Sequence, residues 1–351
     1  MSELKNILEL WKSAGAAGDD VCLATVIGVE GSAYRRPGAR MLLTSAGRRA
    51  GTVSGGCLEA EIAKKAWWLT EQGPSVQRYS SFFDDDGDLP YGLGCGGTVV
   101  VLLERDEAAQ QTLEALQRSA AERVPSVIVT VTDTIMTGTA LILDAAGKAV
   151  FAREAGDETL RIGREALAAR SSRAAGRLCV EYVAPPPSLL IFGAGDDTRP
   201  LVEFADALGW YVTVADGRLQ LARAERFPGA ARVGGLETAL ASAGADDAAV
   251  VMTHSYEQDG KILQTLLGRE LKYLGVLGPR KRTERLVEDM APELAAEFGL
   301  TVEAAMARLH TPVGLDLGGH SPTPIALSIA AELQAVFAGR TARPFHQPVH
   351  A

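Results

Sequence analysis

The stretch Ser188–Arg218, SLLIFGAGDDTRPLVEFADALGWYVTVADGR, decides the fold of the second half of this chain. Leu189–Phe192 is an unbroken apolar run, as a strand buried on both faces must be. Gly193 and Gly195 then form a turn, and DDTRPLVEFADALG reads as a helix closed by Gly209. WYVTVADGR is a second strand, ending in Asp216. In a dinucleotide-binding fold the first glycine makes the turn and the second lets a pyrophosphate approach the backbone. An acidic residue about twenty positions on should accept from ribose hydroxyls, and Asp216 stands at that distance. The third glycine is absent, and Thr198 or Arg199 occupies that region. Asp196 and Asp197 favour the helix N-terminus but repel a phosphate there. The competing reading is a structural glycine turn in a fold that has changed its ligand.

Downstream, strands and helices keep alternating, which indicates a Rossmann-like doubly wound parallel sheet. AAVVMTH is a third strand ending in His254, EQDGKILQTLLGR a helix, LKYLGVLG a further strand. Helices around Lys281–Asp289 and Pro322–Phe337 follow. Ser255 with Gln258 three residues on reads as a helix start. THSYEQD and GVLGPRKR fall at strand ends, where open α/β sheets bind ligands. His254 and Arg280 are therefore candidate ligand contacts, against the alternatives of a structural histidine and a solvated basic face.

Upstream, Pro185–Pro187 can neither continue a helix nor enter a central strand, so the domains are expected as 1–184 and 185–351. The first half reads as mixed α+β. Strands are expected at CLATVIGV, on both sides of a hairpin turn at Ala46-Gly47, and at TVVVLLE, VIVTVTD and GTALILD. Helices are expected over about 58–71 and 107–123. The 351 residues suit two domains, and the formal net charge of −9 argues against coating nucleic acid. No run approaches the roughly 18 apolar residues a membrane helix needs. MSELKNILELWKSAG is an amphipathic helix pattern rather than a secretory signal, so a cytoplasmic protein with reduced thiols is expected. HExxH and a Ser/His/Asp set are absent.

Two of the four cysteines are wrapped in glycine. Cys57 follows Gly55 and Gly56 in GTVSGGCLEAEIAKKA, at the mouth of a helix. The glycines open the backbone to a ligand, and the helix end favours an anion, so this thiol should ionise easily. Cys95 lies in YGLGCGGTVVVLLE. A small buried residue in a tight turn is the alternative reading for each. Arg35, Arg36 and Arg40 flank Pro37-Gly38, in a loop able to clamp a phosphate or carboxylate. A thiolate is a soft ligand, which makes Cys57 the candidate metal contact.

Together, AYRRPGARMLLTSAGRRAGTVSGGCLEAEI, GLGCGGTVVVLLE, LLIFGAGDDTRPLVEFADALGWYVTVADGR, ERFPGA, VVMTHSYEQD, YLGVLGPRKR and VGLDLGGHSPTPIALSIAAEL resemble the xanthine dehydrogenase accessory protein family (XdhC/CoxI) over about residues 20–340. The resemblance implies an XdhC/CoxI domain followed by a Rossmann domain. It implies a chaperone that binds molybdenum cofactor (molybdopterin), supports its sulfuration and hands it to an apo xanthine dehydrogenase-type molybdenum hydroxylase. A cysteine desulfurase and a second copy of the chain are the further expected partners. Arg35, Arg36, Gly55, Gly56, Cys57 and Cys95 would serve the cofactor. Gly193, Gly195, Asp216, His254 and Arg280 would serve a nucleotide or NAD(P) in the Rossmann half. The family usually has histidine after the GAG turn, where this chain has Asp196. The alternative function is an NAD(P)-dependent oxidoreductase.

Overall fold

The computed structural model describes residues 2–80, 97–132 and 137–345. Cys95 lies outside the described residues. The chain packs as two compact units, one spanning Glu3–Pro186 and the other running from Pro187 onward.

The first unit holds two antiparallel sheets. One contains β1 (Val21–Gly31), β2 (Arg40–Thr44), β3 (Arg49–Gly51), β4 (Ser75–Ser80) and β5 (Gly97–Glu104), in the order β3-β2-β1-β5-β4. The other contains β6 (Ser126–Val131), β7 (Gly138–Leu143), β8 (Ala149–Ala152), β9 (Arg173–Ala175) and β10 (Leu178–Val183), in the order β8-β7-β6-β10-β9. Among the described residues four helices cover them: α1 (Glu3–Ala17), α2 (Glu59–Leu69), α3 (Glu107–Glu122) and α4 (Asp157–Ala169).

Both faces of both sheets are buried. On the first sheet, Cys22, Ala24 and Val26 pack under Leu58 and Ile62 at and within α2. Val21 and Leu23, on the opposite face, meet Ile7 of α1 and Leu113 of α3. Leu8 of α1 and Leu116 of α3 then meet Ile128 and Ile142 of the second sheet. The far face of that sheet, with Val129 and Leu141, packs on Ile162 of α4. The result is a helix–sheet–helix–sheet–helix stack. It explains why CLATVIGV carries no polar alternation: a strand covered on both sides is apolar throughout.

The second unit is a parallel sheet of β11 (Ser188–Phe192), β12 (Tyr211–Ala215), β13 (Arg232–Gly234), β14 (Asp247–Val251) and β15 (Tyr273–Val276), in the order β13-β12-β11-β14-β15. His310 bridges to Gly275 in parallel and continues the sheet beyond β15. The helices are α5 (Thr198–Ala207), α6 (Leu236–Ser242), α7 (Tyr256–Leu267), α8 (Arg280–Asp289), α9 (Ala291–Phe298), α10 (Val302–Ala307) and α11 (Pro322–Phe337). Ile191 and Val250 face Leu201 of α5 and Ile329 of α11, while Phe192 and Val251 face Leu263 of α7 and Leu286 of α8. This is the Rossmann-like sheet expected from Ser188–Arg218. The strand order reverses between β11 and β14, which places a crevice at their carboxyl ends.

The structure departs from the sequence reading in short elements. β13 and β9 have three residues each, too few for a period to register. The third strand ends at Val251 rather than His254. His254 itself lies in the left-handed region, with φ of 61°, so the ladder cannot extend through it. Helices α9 and α10 are short and add to the expected elements. Among the described residues no helix is long and apolar enough to cross a membrane.

Candidate functional site

In the first unit the loop carrying Cys57 is held by one buried carboxylate. Glu59, in the first turn of α2, accepts from the Val53 and Ser54 N–H groups through Oε1 at 3.1 and 2.8 Å. Its Oε2 accepts from the Ser54 hydroxyl at 2.7 Å. Ser54 Oγ in turn accepts from the Gly56 and Leu58 N–H groups, both at 3.1 Å. Backbone donors of the loop leading into α2, which no ladder pairs, are thereby satisfied by side chains. Burial alone would raise the Glu59 carboxyl, but the Ser54 hydroxyl and the backbone N–H groups more than offset it and hold it below its ordinary value.

The residues on this frame point outward. Gly55, Gly56 and Cys57 are exposed. Gly56 has φ of 110°, a backbone state closed to other residues without strain. Tyr34 is 78% exposed and lies against Gly55, 3.7 Å from where a Cβ would stand. Arg36 is exposed and has no ion pair among the described residues. Its two neighbours in the cationic loop are committed elsewhere. Arg35 pairs with Glu3 of α1. Arg40 is buried and forks onto Glu181 of β10 at 2.5 and 2.9 Å, tying one sheet to the other. Of the three arginines, Arg36 alone is thus presented to solvent with its charge available.

Nothing in the sequence singles out Tyr34, Ser54 or Glu59. Glu59 is five residues after Ser54, a spacing that a turn between them makes productive but that no helical or strand period reveals. Among the described residues no group of three or more His, Cys, Asp or Glu side chains could hold a metal ion.

In the second unit the carboxyl-edge crevice collects Gly193, Gly195, Asp216 and His254. Gly193 has φ of 134°, and a Cβ there would run into the Met252 carbonyl of the β14 end. Its N–H donates to Ala215 O at 2.8 Å, and Thr198 Oγ1 donates back to its carbonyl at 2.9 Å. Asp216 is fully buried. Its Oδ2 accepts from Ala194 N–H and Arg218 Nη2, both at 2.8 Å, and Oδ1 accepts from Arg218 N–H and Nε at 2.8 and 2.9 Å. Burial would raise this carboxyl, yet the Arg218 guanidinium and the two N–H groups outweigh it and lower it.

His254 is held at the tip of β14 by a network behind it. Thr253 Oγ1 donates to Asp259 Oδ1 at 2.6 Å, and Arg282 of α8 closes on Asp259 Oδ2 at 2.7 Å. In front, His254 Nε2 meets Asp197 Oδ2 at 2.6 Å across the switch point. Arg226 donates to Ala194 O and to Asp196 Oδ1 at 2.8 and 2.9 Å. Arg280 opens α8 but pairs with Glu284 one turn on, at 2.9 Å, on an exposed surface. The roles of Arg226 and Arg282 are not legible in the sequence, since their partners lie more than twenty residues away along the chain, whereas Arg218 meets Asp216 two residues before it.

Comparison with known proteins agrees with this architecture. Residues 14–80 match the XdhC and CoxI family, and residues 189–333 match the XdhC Rossmann domain. The chain is 31% identical over 326 residues to a probable xanthine dehydrogenase subunit of Bacillus subtilis, covering 90% of this chain and 92% of that one. It is 25% identical over 333 residues to the molybdenum cofactor insertion chaperone PaoD of Escherichia coli, covering 95% of this chain and 88% of the relative. A crystal structure of a xanthine dehydrogenase from Bacillus halodurans superposes with a TM-score of 0.76 at 30% identity, over 99% of this chain and 98% of that one. With both family matches falling on this chain and a relative 31% identical over 92% of its own length, the chain belongs to the XdhC and CoxI family.

Proposed function

We propose that this protein is a carrier and chaperone for molybdenum cofactor in the maturation of a xanthine dehydrogenase-type molybdenum hydroxylase. The name of the Escherichia coli relative supports the insertion role. The observation that carries the reading to this chain is the exposed Gly55–Gly56–Cys57 segment on the Glu59 frame, with Tyr34 of the cationic loop against Gly55 and Arg36 exposed two residues further along that loop. A single exposed thiol suits a metal that arrives already held by the sulfur ligands of its organic carrier. Arg36 offers a planar fork to a phosphate, and the two glycines let the ligand reach the backbone. Support of sulfuration, with a cysteine desulfurase supplying the sulfur, and a homodimeric state belong to the same reading.

The deciding experiment is the metal and pterin content of protein purified from a molybdenum-replete host. Cys57→Ala is expected to lower both by roughly tenfold or more, since even loss of a supporting group costs about that much at metal sites. Unchanged occupancy in a folded Cys57→Ala protein would remove the assignment. Arg36→Lys keeps the charge and loses the fork, so titration with molybdopterin is expected to show about three- to tenfold weaker binding. Equal affinity would make Arg36 an ordinary surface charge.

We read the carboxyl-edge crevice of the second unit as a site for a pyrophosphate-linked nucleotide. The turn at Gly193 and Gly195, at the point where strand order reverses, supports it. The committed Asp216 carboxylate argues against ribose recognition of the usual kind, and with it against the NAD(P)-dependent oxidoreductase alternative.

A further inference from the structure

The Gly193–Gly195 turn is already filled by an anion, and the anion belongs to the chain. Asp197 stands at the N-cap of α5 but makes no capping hydrogen bond. Its carboxylate bends back instead. Oδ1 occupies the space directly over Gly195 where a Cβ would stand, and Oδ2 meets His254 Nε2 at 2.6 Å. Gly195 is the residue whose missing side chain lets a pyrophosphate reach the backbone. The carboxylate accepts only, so the His254 nitrogen facing it carries the proton. His254 is presented in a left-handed backbone state, uncommon for a residue other than glycine and costly unless the surroundings impose it. The Thr253–Asp259–Arg282 network behind it supplies that imposition.

We propose that Asp197 is an autoinhibitory latch, a carboxylate seated in the pyrophosphate subsite and fastened across the switch point by His254. This rests on the reading of the crevice as a nucleotide site. A pyrophosphate-bearing ligand must displace the carboxylate from Gly195, after which the Gly195 backbone and the His254 N–H face the ligand. The closed state therefore lowers apparent affinity by the fraction of molecules in which the latch is open. Asp196 is different: it is 86% exposed and pairs with Arg226, whose other terminal nitrogen holds Ala194 O, so it contributes charge but no plug.

The test is calorimetric titration of the full chain with NAD+ and CDP, which carry a pyrophosphate, and with AMP, which does not. Asp197→Asn is expected to bind NAD+ and CDP about tenfold tighter than the unaltered protein, with AMP unchanged. Asp196→Asn is expected to gain less. If the unaltered protein and Asp197→Asn bind NAD+ equally, the latch is overturned and the nucleotide reading stands. If neither binds, both fall. An equal gain for AMP would also overturn it, because the released space would not be the pyrophosphate subsite. Should Asp197→Asn fail to fold, the His254 imidazole N–H resonance of the unaltered protein gives the answer. It is expected to leave its carboxylate-bonded position on saturation with NAD+, and an unmoved signal under saturation overturns the latch.

Discussion

Glu59→Ala is expected to lower the unfolding free energy by about 3 kcal/mol and to abolish cofactor retention together with it. The side chain is 3% exposed and accepts three hydrogen bonds. Truncation leaves the Val53 and Ser54 N–H groups facing a void, and each orphaned buried donor costs about 1–3 kcal/mol. The Ser54 hydroxyl loses the acceptor that orients it, so its own bonds to the Gly56 and Leu58 N–H groups weaken as well. Those bonds set the direction in which Cys57 leaves the helix. Denaturant titration measures the first effect, and molybdenum content of the folded fraction measures the second. Glu59→Gln separates them. It keeps an acceptor for the backbone and loses the charge, so it is expected to recover most of the stability. Because the Glu59 carboxyl sits below its ordinary value, its contribution is present above the unfolded value of 4.5 and is lost as pH falls through the folded one. A folded Glu59→Ala protein with full stability and full occupancy would show that the frame is dispensable.

Glu104→Gln is expected to stabilise the protein above about pH 8 and to flatten its stability between about pH 5 and 7. Glu104 ends β5, is 1% exposed, and accepts from Thr139 N–H and Oγ1 on β7 at 2.7 and 2.9 Å, joining the two sheets of the first unit. Burial pushes its carboxyl from 4.5 up to about 7, with the Thr139 hydrogen bonds pulling back, Asp106 adding to the rise and Arg153 opposing it. The folded protein therefore keeps this proton over a range in which the unfolded chain releases it. The stabilisation is fully present below pH 4.5 and is lost as pH rises to about 7. The loss is on the order of 3.5 kcal/mol at most, at about 1.4 kcal/mol per unit. Glutamine carries no proton to lose, and its amide can both accept from the Thr139 N–H and donate to its hydroxyl. Urea midpoints at about pH 5 and about pH 8 check this. If the unaltered protein and Glu104→Gln run parallel across that interval, Glu104 is ionised in the folded state throughout.

Neither carboxylate's role is written in its local sequence. Glu59 and Glu104 look like any surface glutamate beside a helix start or a strand end. Glu104 becomes a cross-sheet acceptor only because β5 ends where β7 begins, and Glu104 and Thr139 are 35 residues apart with α3 and β6 between them. No period or local motif encodes that meeting. The same holds for the cationic loop. Arg35, Arg36 and Arg40 form one group in sequence, but α1 claims the first and β10 the last, so one fork remains for an anion.

What the chain determined by itself was local. Apolar runs with glycine turns specified the parallel sheet of the second unit, because a strand buried on both faces has no polar positions to place. Ser255 caps its helix as its spacing predicts, accepting from Gln258 N–H at 3.3 Å, because a cap needs only neighbours three residues apart. The hairpin between β2 and β3 turns at Ala46-Gly47, because glycine takes the positive φ that such turns require. The glycine approach to Cys57 is visible for the same reason. Tertiary structure alone decided what each charge is for. It buried Asp216 against the Ala194 N–H, set Asp197 over Gly195 against His254, and left Arg36 exposed in the loop that presents Tyr34. A charged side chain acts over a few ångströms through space, and folding, rather than spacing along the chain, determines which opposite charge lies within that reach.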